Sequence, residues 1–289
     1  MALRLPGGLL VILSEWIGWF RLRYLDYKPR PDDVFVVTYP RSGTTWLQMI
    51  LYQLTTDGDM NFGHISQFVP WFERFSNNGK DIESLPSPRL FKSHLPWRGW
   101  RSVPKGPCKY IYVIRDGLDV LDSYHSFARS HLRVREELPV FFRRFMRGKL
   151  PYGAWFRHVA GWLEQWGDPR ILFLRFEDLQ DDLPGCIRRI AAFCGFEIAD
   201  VGFPRIVARC GFEFMKRHEP KFDHFTGMLW DDGYEVGAFI RQGRSGSGGP
   251  RLTDAQRAEF ETACAKWLGA WLAQAPHVHG PRHAGVGST

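Results

Sequence analysis

The sequence has no Cys-x-x-Cys pair, no long polybasic block, no internal repeat and no GxxxxGK[ST] phosphate loop. Each absence narrows the field. The five cysteines, at 108, 186, 194, 210 and 264, are odd in number and sit mostly in apolar or helical patterns. A disulfide framework is therefore not indicated, and reduced core residues of a cytoplasmic protein are expected. The apolar stretch GGLLVILSEWIGWF (7–20) is short and is interrupted by Glu15, so no transmembrane span is expected. No small-residue cleavage site follows it, and an amphipathic N-terminal helix (7–25) is the reading. The basic residues come in short clusters such as FFRRFMRGK (141–149), set among rings rather than in an extended stripe. Nucleic acid is accordingly not the expected partner.

A net charge of +7 is present, and it suits an anionic ligand. With 289 residues the chain is long enough for a large core, and with an aromatic share of 15% core packing is expected to take most of the rings and a pocket some of them. VFVVTY (34–39), RLFKSHL (89–95), KYIYVIRD (109–116) and ILFLRFED (171–178) read as strands. Residues 44–56, 117–131, 152–166, 183–196 and 252–272 carry helical spacing, the last with Thr253 as a cap. Strands alternating with helices predict an α/β fold, a doubly wound parallel sheet flanked by helices, within one domain over 1–275. The tail 276–289 is expected to be disordered, and its three histidines have no second ligand cluster, so no metal site is expected.

Four stretches carry chemistry. TYPRSGTTW (38–46) joins a strand to a helix, where backbone N–H groups and the helix N-terminus favour an anion. Gly43 permits close backbone approach, Ser42, Thr44 and Thr45 offer hydroxyls, and Arg41 brings fixed charge. In YVIRDGLDVLDSYHSF (112–127), Arg115 ends a strand and Ser123 follows on a helix, a fork and a hydroxyl fit to grip a phosphate. Pairing of Arg115 with Asp116 or Asp119 is the competing reading. FKSHLP (91–96) puts Lys92 and His94 two apart, on one side of a strand, as a cation and a base. FIRQGRSG (239–246) is a basic, glycine-rich segment containing Arg241, Gln242 and Gly243, suited to a second phosphate. A kinase-like enzyme would need GK[ST] and an acidic magnesium site, for which RFED (175–178) is the one candidate. A binder without turnover would tolerate loss of His94.

Taken in order and spacing, the four stretches resemble the cytosolic sulfotransferase family over roughly residues 28–272. The resemblance implies 3′-phosphoadenosine-5′-phosphosulfate as sulfuryl donor, 3′-phosphoadenosine-5′-phosphate (PAP) as product, and no metal. It implies His94 as general base, with Lys92 and Arg41 at the sulfate. Ser42, Gly43, Thr44 and Thr45 would hold the 5′ side, Trp46 and Phe212 the adenine. Arg115, Ser123, Arg241, Gln242 and Gly243 would hold the 3′-phosphate. Three departures stand out: Arg41 replaces a lysine, Phe176 a tyrosine and Gln242 a lysine. The family's usual dimer motif is missing from SGGPRLTDAQRAE, which leaves the oligomeric state open. FVPWFERF (68–75), with Trp97, Tyr152 and Trp155, is expected to wall a pocket for a hydrophobic or aromatic small-molecule acceptor.

Overall fold

Four strands form the sheet: β1 (Val34–Thr38), β2 (Leu90–Ser93), β3 (Lys109–Ile114) and β4 (Ile171–Arg175). The computed structural model describes residues 27–75, 82–102, 106–223, 239–241, 243, 245–246 and 251–274. The expected N-terminal helix (7–25), Gln242 and the tail 276–289 lie outside the described residues. The strands run parallel in the order β2-β1-β3-β4, with Val36 in register with Lys92 on one side and Ile111 on the other. Their sequences are near-continuous apolar runs because both faces are covered. Phe35, Val37, Tyr110, Tyr112 and Ile114 face one core, and Val34, Val36, Ile111, Val113 and Leu174 face the other.

Helices close both faces. The first is covered by α3 (Gly117–His131), α4 (Leu138–Met146), α5 (Trp155–Leu163) and α10 (Asp254–Gln274). The second is covered by α1 (Thr44–Thr55), α6 (Phe176–Asp181), α7 (Leu183–Cys194), α8 (Phe203–Cys210) and α9 (Phe212–Arg217). A short α2 (Phe72–Phe75) precedes β2. The doubly wound expectation holds. Asp116 caps α3, accepting from the N–H groups of Leu118 and Asp119 at 3.0 Å. Gly195 ends α7 in the left-handed region at φ 76°. Thr253 and Gln256 cap α10 reciprocally, at 3.0 and 3.3 Å.

The strands end one to three residues short of the sequence reading, and at β4 the difference changes the element. The strand expected over 171–178 stops at Arg175, and Phe176 opens α6. Its pairing partner ends at the same register, since Ile114, the last residue of β3, is opposite Arg175. The Asp178 carboxylate then accepts the Arg175 N–H at 3.3 Å and starts a helix instead.

From β1 the chain moves outward to β2, then back across to β3. The crevice beyond the carboxyl ends of β1 and β3 is thus a topological switch point, where open α/β sheets bind ligands.

Candidate active site

The loop from Tyr39 to Gly43 leaves β1 at this crevice and delivers α1. Gly43 is required there: its φ is 94°, and a Cβ on it would lie 2.9 Å from the Phe176 ring. Arg41 also has positive φ, 69°. Its main-chain oxygen accepts from Arg115 Nη1 at 2.9 Å, so the residue just after β3 braces the loop that follows β1. Thr44 and Thr38 join hydroxyls at 2.6 Å.

One pocket gathers most of the expected residues. Arg41, Gly43, Thr44, Thr45, Trp46, Lys92, His94, Arg115, Ser123, Phe176, Phe212, Arg241 and Gly243 all line it. Ser42 is buried, and its side chain is not part of the lining.

The cationic end is built from distant parts of the chain. Arg41 Nε donates to Ser123 Oγ at 3.2 Å, and its Nη2 donates to the Phe239 carbonyl at 2.8 Å. The guanidinium sits 4.7 Å from the Phe127 ring centre and 4.9 Å from that of Phe239. Burial, then the charge of Arg115, pull Arg41 down to about 10, which still leaves it a cation at neutral pH. Arg115 is lowered as well, chiefly by burial, and lies 4.4 Å from the Phe176 ring centre. Asp116 is engaged as the α3 cap, and the Asp119 carboxylate accepts the Gly246 N–H at 2.8 Å.

Trp46 and Phe212 form aromatic walls at this end. The Trp46 indole donates to the Cys210 carbonyl at 2.8 Å and meets Phe176 edge-on at 5.5 Å. Phe212 lies close beneath Gly243, where φ is 58° and any Cβ would strike the ring. Gln180 holds the Gly243 carbonyl.

Lys92 and His94 form the other end. His94 Nδ1 lies 2.9 Å from the Thr38 carbonyl. A carbonyl only accepts, so Nδ1 carries the proton and Nε2 is left with its lone pair. Burial, then the charge of Lys92, push His94 well below the ordinary histidine range, so the ring is neutral at pH 7. Lys92 is pulled down to about 7 by burial and by Arg74, with Glu73 opposing. Its ammonium is 4.3 Å from the centre of the Trp71 ring, which also carries Arg74 at 3.8 Å.

Sequence reasoning missed the supports of His94. The buried Glu73 carboxylate accepts the His94 N–H at 2.8 Å and the Ser93 hydroxyl at 2.9 Å. His158 Nε2 meets the His94 carbonyl at 2.9 Å, and its Nδ1 meets the Tyr112 hydroxyl at 2.8 Å. The carbonyl fixes Nε2–H as donor, so Tyr112 donates to Nδ1. A Lys-x-His motif carries no trace of these partners, which come from α2, β3 and α5.

Of the rings expected around an acceptor, Trp71 and Tyr152 line the pocket and contact the His94 ring, at 5.2 and 5.3 Å between centres. Trp97 instead packs on Trp162 at 5.0 Å, and the fully buried Trp155 stacks on Phe260. Phe72 is core, and Phe68 packs on Tyr52. Phe127, Leu132, Pro151 and Met215 complete the wall. Among the described residues no group of three or more His, Cys, Asp or Glu side chains is placed to hold a metal ion.

Comparison with known proteins adds the family. A family model described as a sulfotransferase domain matches residues 31–272. The amine sulfotransferase of Oryctolagus cuniculus is 35% identical over 243 residues, covering 82% of this chain and 80% of its own. Human sulfotransferase 1C2 is 30% identical over 258 residues, covering 84% and 85%. The fold is shared with mouse sulfotransferase SULT7A1, solved with PAP, at TM-score 0.71 and 23% identity over 93% of this chain and 96% of that one. Retinol dehydratase, solved with androsterone and PAP, has TM-score 0.71 and 24% identity over 87% and 85%. The chain therefore belongs to the sulfotransferase family, and it is an enzyme of that class.

Proposed function

We propose that the protein moves a sulfuryl group from 3′-phosphoadenosine-5′-phosphosulfate to a hydroxyl, or an uncharged amine, of a hydrophobic small molecule, with His94 as general base. The carrying observation is that one pocket joins a cationic end, with Arg41, Arg115, Ser123 and Arg241, to an end where His94 Nε2 is unprotonated. The residues fit the donor. Arg115, Ser123 and Arg241 suit a 3′-phosphate, the Gly43 turn a 5′-phosphosulfate, and Trp46 and Phe212 an adenine. PAP in the solved mouse relative supports the same donor here. When bound, the donor supplies an activated sulfuryl group on a phosphate leaving group.

The chain's own residues then do three things. His94 Nε2 takes the acceptor proton, and the Thr38 carbonyl stabilises the imidazolium through Nδ1–H. Glu73 and His158 hold the His94 main chain so that Nε2 stays aimed. Lys92 and Arg41 stabilise negative charge on the group in transfer. Lys92 does so only when protonated, so its contribution falls as pH rises through its pKa, which an anion nearby raises above 7.

The acceptor end is aromatic, and among the described lining residues there is no Asp or Glu. A protonated amine would meet Lys92 and Arg41 without a counter-charge, which favours a neutral phenol or alcohol. The five cysteines are all free, as suits a reducing compartment, and we place the enzyme in the cytoplasm. No helix among the described residues is long and apolar enough to cross a membrane.

His94→Ala tests the base. Turnover of a phenol should fall about 100-fold or more, within the range of general-base effects, while PAP affinity is unchanged. Turnover near wild type in a folded variant would reject the assignment.

A further inference from the structure

Asp122 stands on α3 immediately before Ser123, with its side chain 5% exposed. Two guanidiniums from far along the chain divide its carboxylate. Arg241 Nη2 donates to Oδ2, and Arg251 Nη1 donates to Oδ1 at 2.7 Å. One helical turn earlier, Asp119 holds the Gly246 N–H. From the opposite side Gln180 takes the Gly243 carbonyl, and Lys216 reaches the Arg241 carbonyl at 3.2 Å. Arg241 is thus fixed at both its main chain and its side chain. It needs to be, because its charge works against Arg41 and Arg115, lowering both.

The geometry points to Asp122 as a positioning residue for donor binding, holding Arg241 at the cationic end of the pocket before any anion arrives. The inference rests on the proposed reading of that end as the 3′-phosphate site. A carboxylate between Arg241 and Arg251 offsets the repulsion among the guanidiniums and selects one rotamer of a long side chain. Among the described residues Asp122 takes Nη2 of Arg241, and a guanidinium has N–H donors beyond that one to offer a phosphate. Without Asp122 the same side chain must be ordered during binding, an added cost that weakens affinity.

The test is calorimetric titration with PAP and with AMP on the whole protein, comparing wild type, Asp122→Asn, Arg241→Gln and the double variant. Ordering one long side chain corresponds to about three- to tenfold, so Asp122→Asn should weaken PAP by that factor and leave AMP unchanged. In the Arg241→Gln background the same change should cost nothing further. Should Asp122→Asn fold poorly, Arg251→Gln at a half-exposed side chain loosens the same carboxylate and should shift PAP in the same direction. Tighter PAP binding in Asp122→Asn would mean that the carboxylate competes with the phosphate, and would overturn the inference. Equal losses for PAP and AMP, or a full loss in the Arg241→Gln background, would overturn it as well. Arg115→Ala separates the two levels: if it fails to distinguish PAP from AMP, the 3′-phosphate reading itself falls.

Discussion

Replacing Lys92 by methionine should stabilise the fold while disabling the reaction. Lys92 is 6% exposed, and its pKa drops from 10.5 to about 7 on folding, led by burial. Between those values the unfolded chain binds more protons than the folded one, so stability rises with pH across that window. Below about pH 7 both states hold the proton and the destabilisation is complete. The span is 10.5 − 7 = 3.5 pH units. At about 1.4 kcal/mol per unit the ceiling is about 5 kcal/mol. Attraction of the ammonium to the Trp71 ring, lost in the variant, offsets about 1–2 kcal/mol of that. Methionine keeps the unbranched length, and its thioether suits the Trp71 ring. Lys92→Met should therefore gain about 2–4 kcal/mol near pH 6.5, raising Tm by several degrees. Scanning calorimetry of both proteins at pH 6.5 and 10.5 measures it. The gap should shrink towards zero at pH 10.5, where lysine folds nearly neutral. Turnover of the variant should fall about 100-fold, as when one stabilising donor is removed from a transition state. A variant less stable at pH 6.5, or a gap unchanged at pH 10.5, would refute the reasoning.

Two further substitutions separate the parts of the pocket. Arg115→Ala should weaken PAP by about 1.5–3 kcal/mol, the worth of a hydrogen bond to a charged group, and AMP much less; titration with each nucleotide checks it. Gly43→Ala should cost about 1–3 kcal/mol of stability and weaken PAP and AMP alike, because the backbone must leave φ 94° and the new methyl meets Phe176. Unchanged Tm and PAP affinity in Gly43→Ala would show that the turn is not built as described.

What the sequence made readable was whatever is contiguous. The strand, loop and helix of 34–55 and of 109–131 each lie within about twenty residues, and strand periodicity and glycine placement located both. The alternation of strand and helix was enough for the sheet. Lys92 and His94 were found because two residues apart on an extended chain share a side. The side-chain partners were not readable. Arg41 lies between Phe127 and Phe239, the latter 198 positions away. Glu73 looked like one more charge in an aromatic stretch, yet it is buried and holds the His94 N–H. Asp122 sat inside a motif whose neighbours drew the eye, and only the return of Arg241 and Arg251 shows its use. The end of β4 coincides with the end of β3, whose position no window on 171–178 contains. Of the rings nominated for the acceptor wall, Trp97 and Trp155 went to the core because composition does not say which face of a helix meets a cavity.

The central claim is that this pocket is shaped for a 3′-phosphorylated adenine nucleotide. Titration of the purified protein with PAP, with AMP and ATP–Mg²⁺ as comparators, tests it most directly. The account predicts that PAP binds about 100-fold tighter than AMP, since Arg115, Ser123 and Arg241 add charge-assisted hydrogen bonds to the 3′-phosphate alone. Equal affinity for PAP and AMP, or preference for ATP–Mg²⁺, would contradict it.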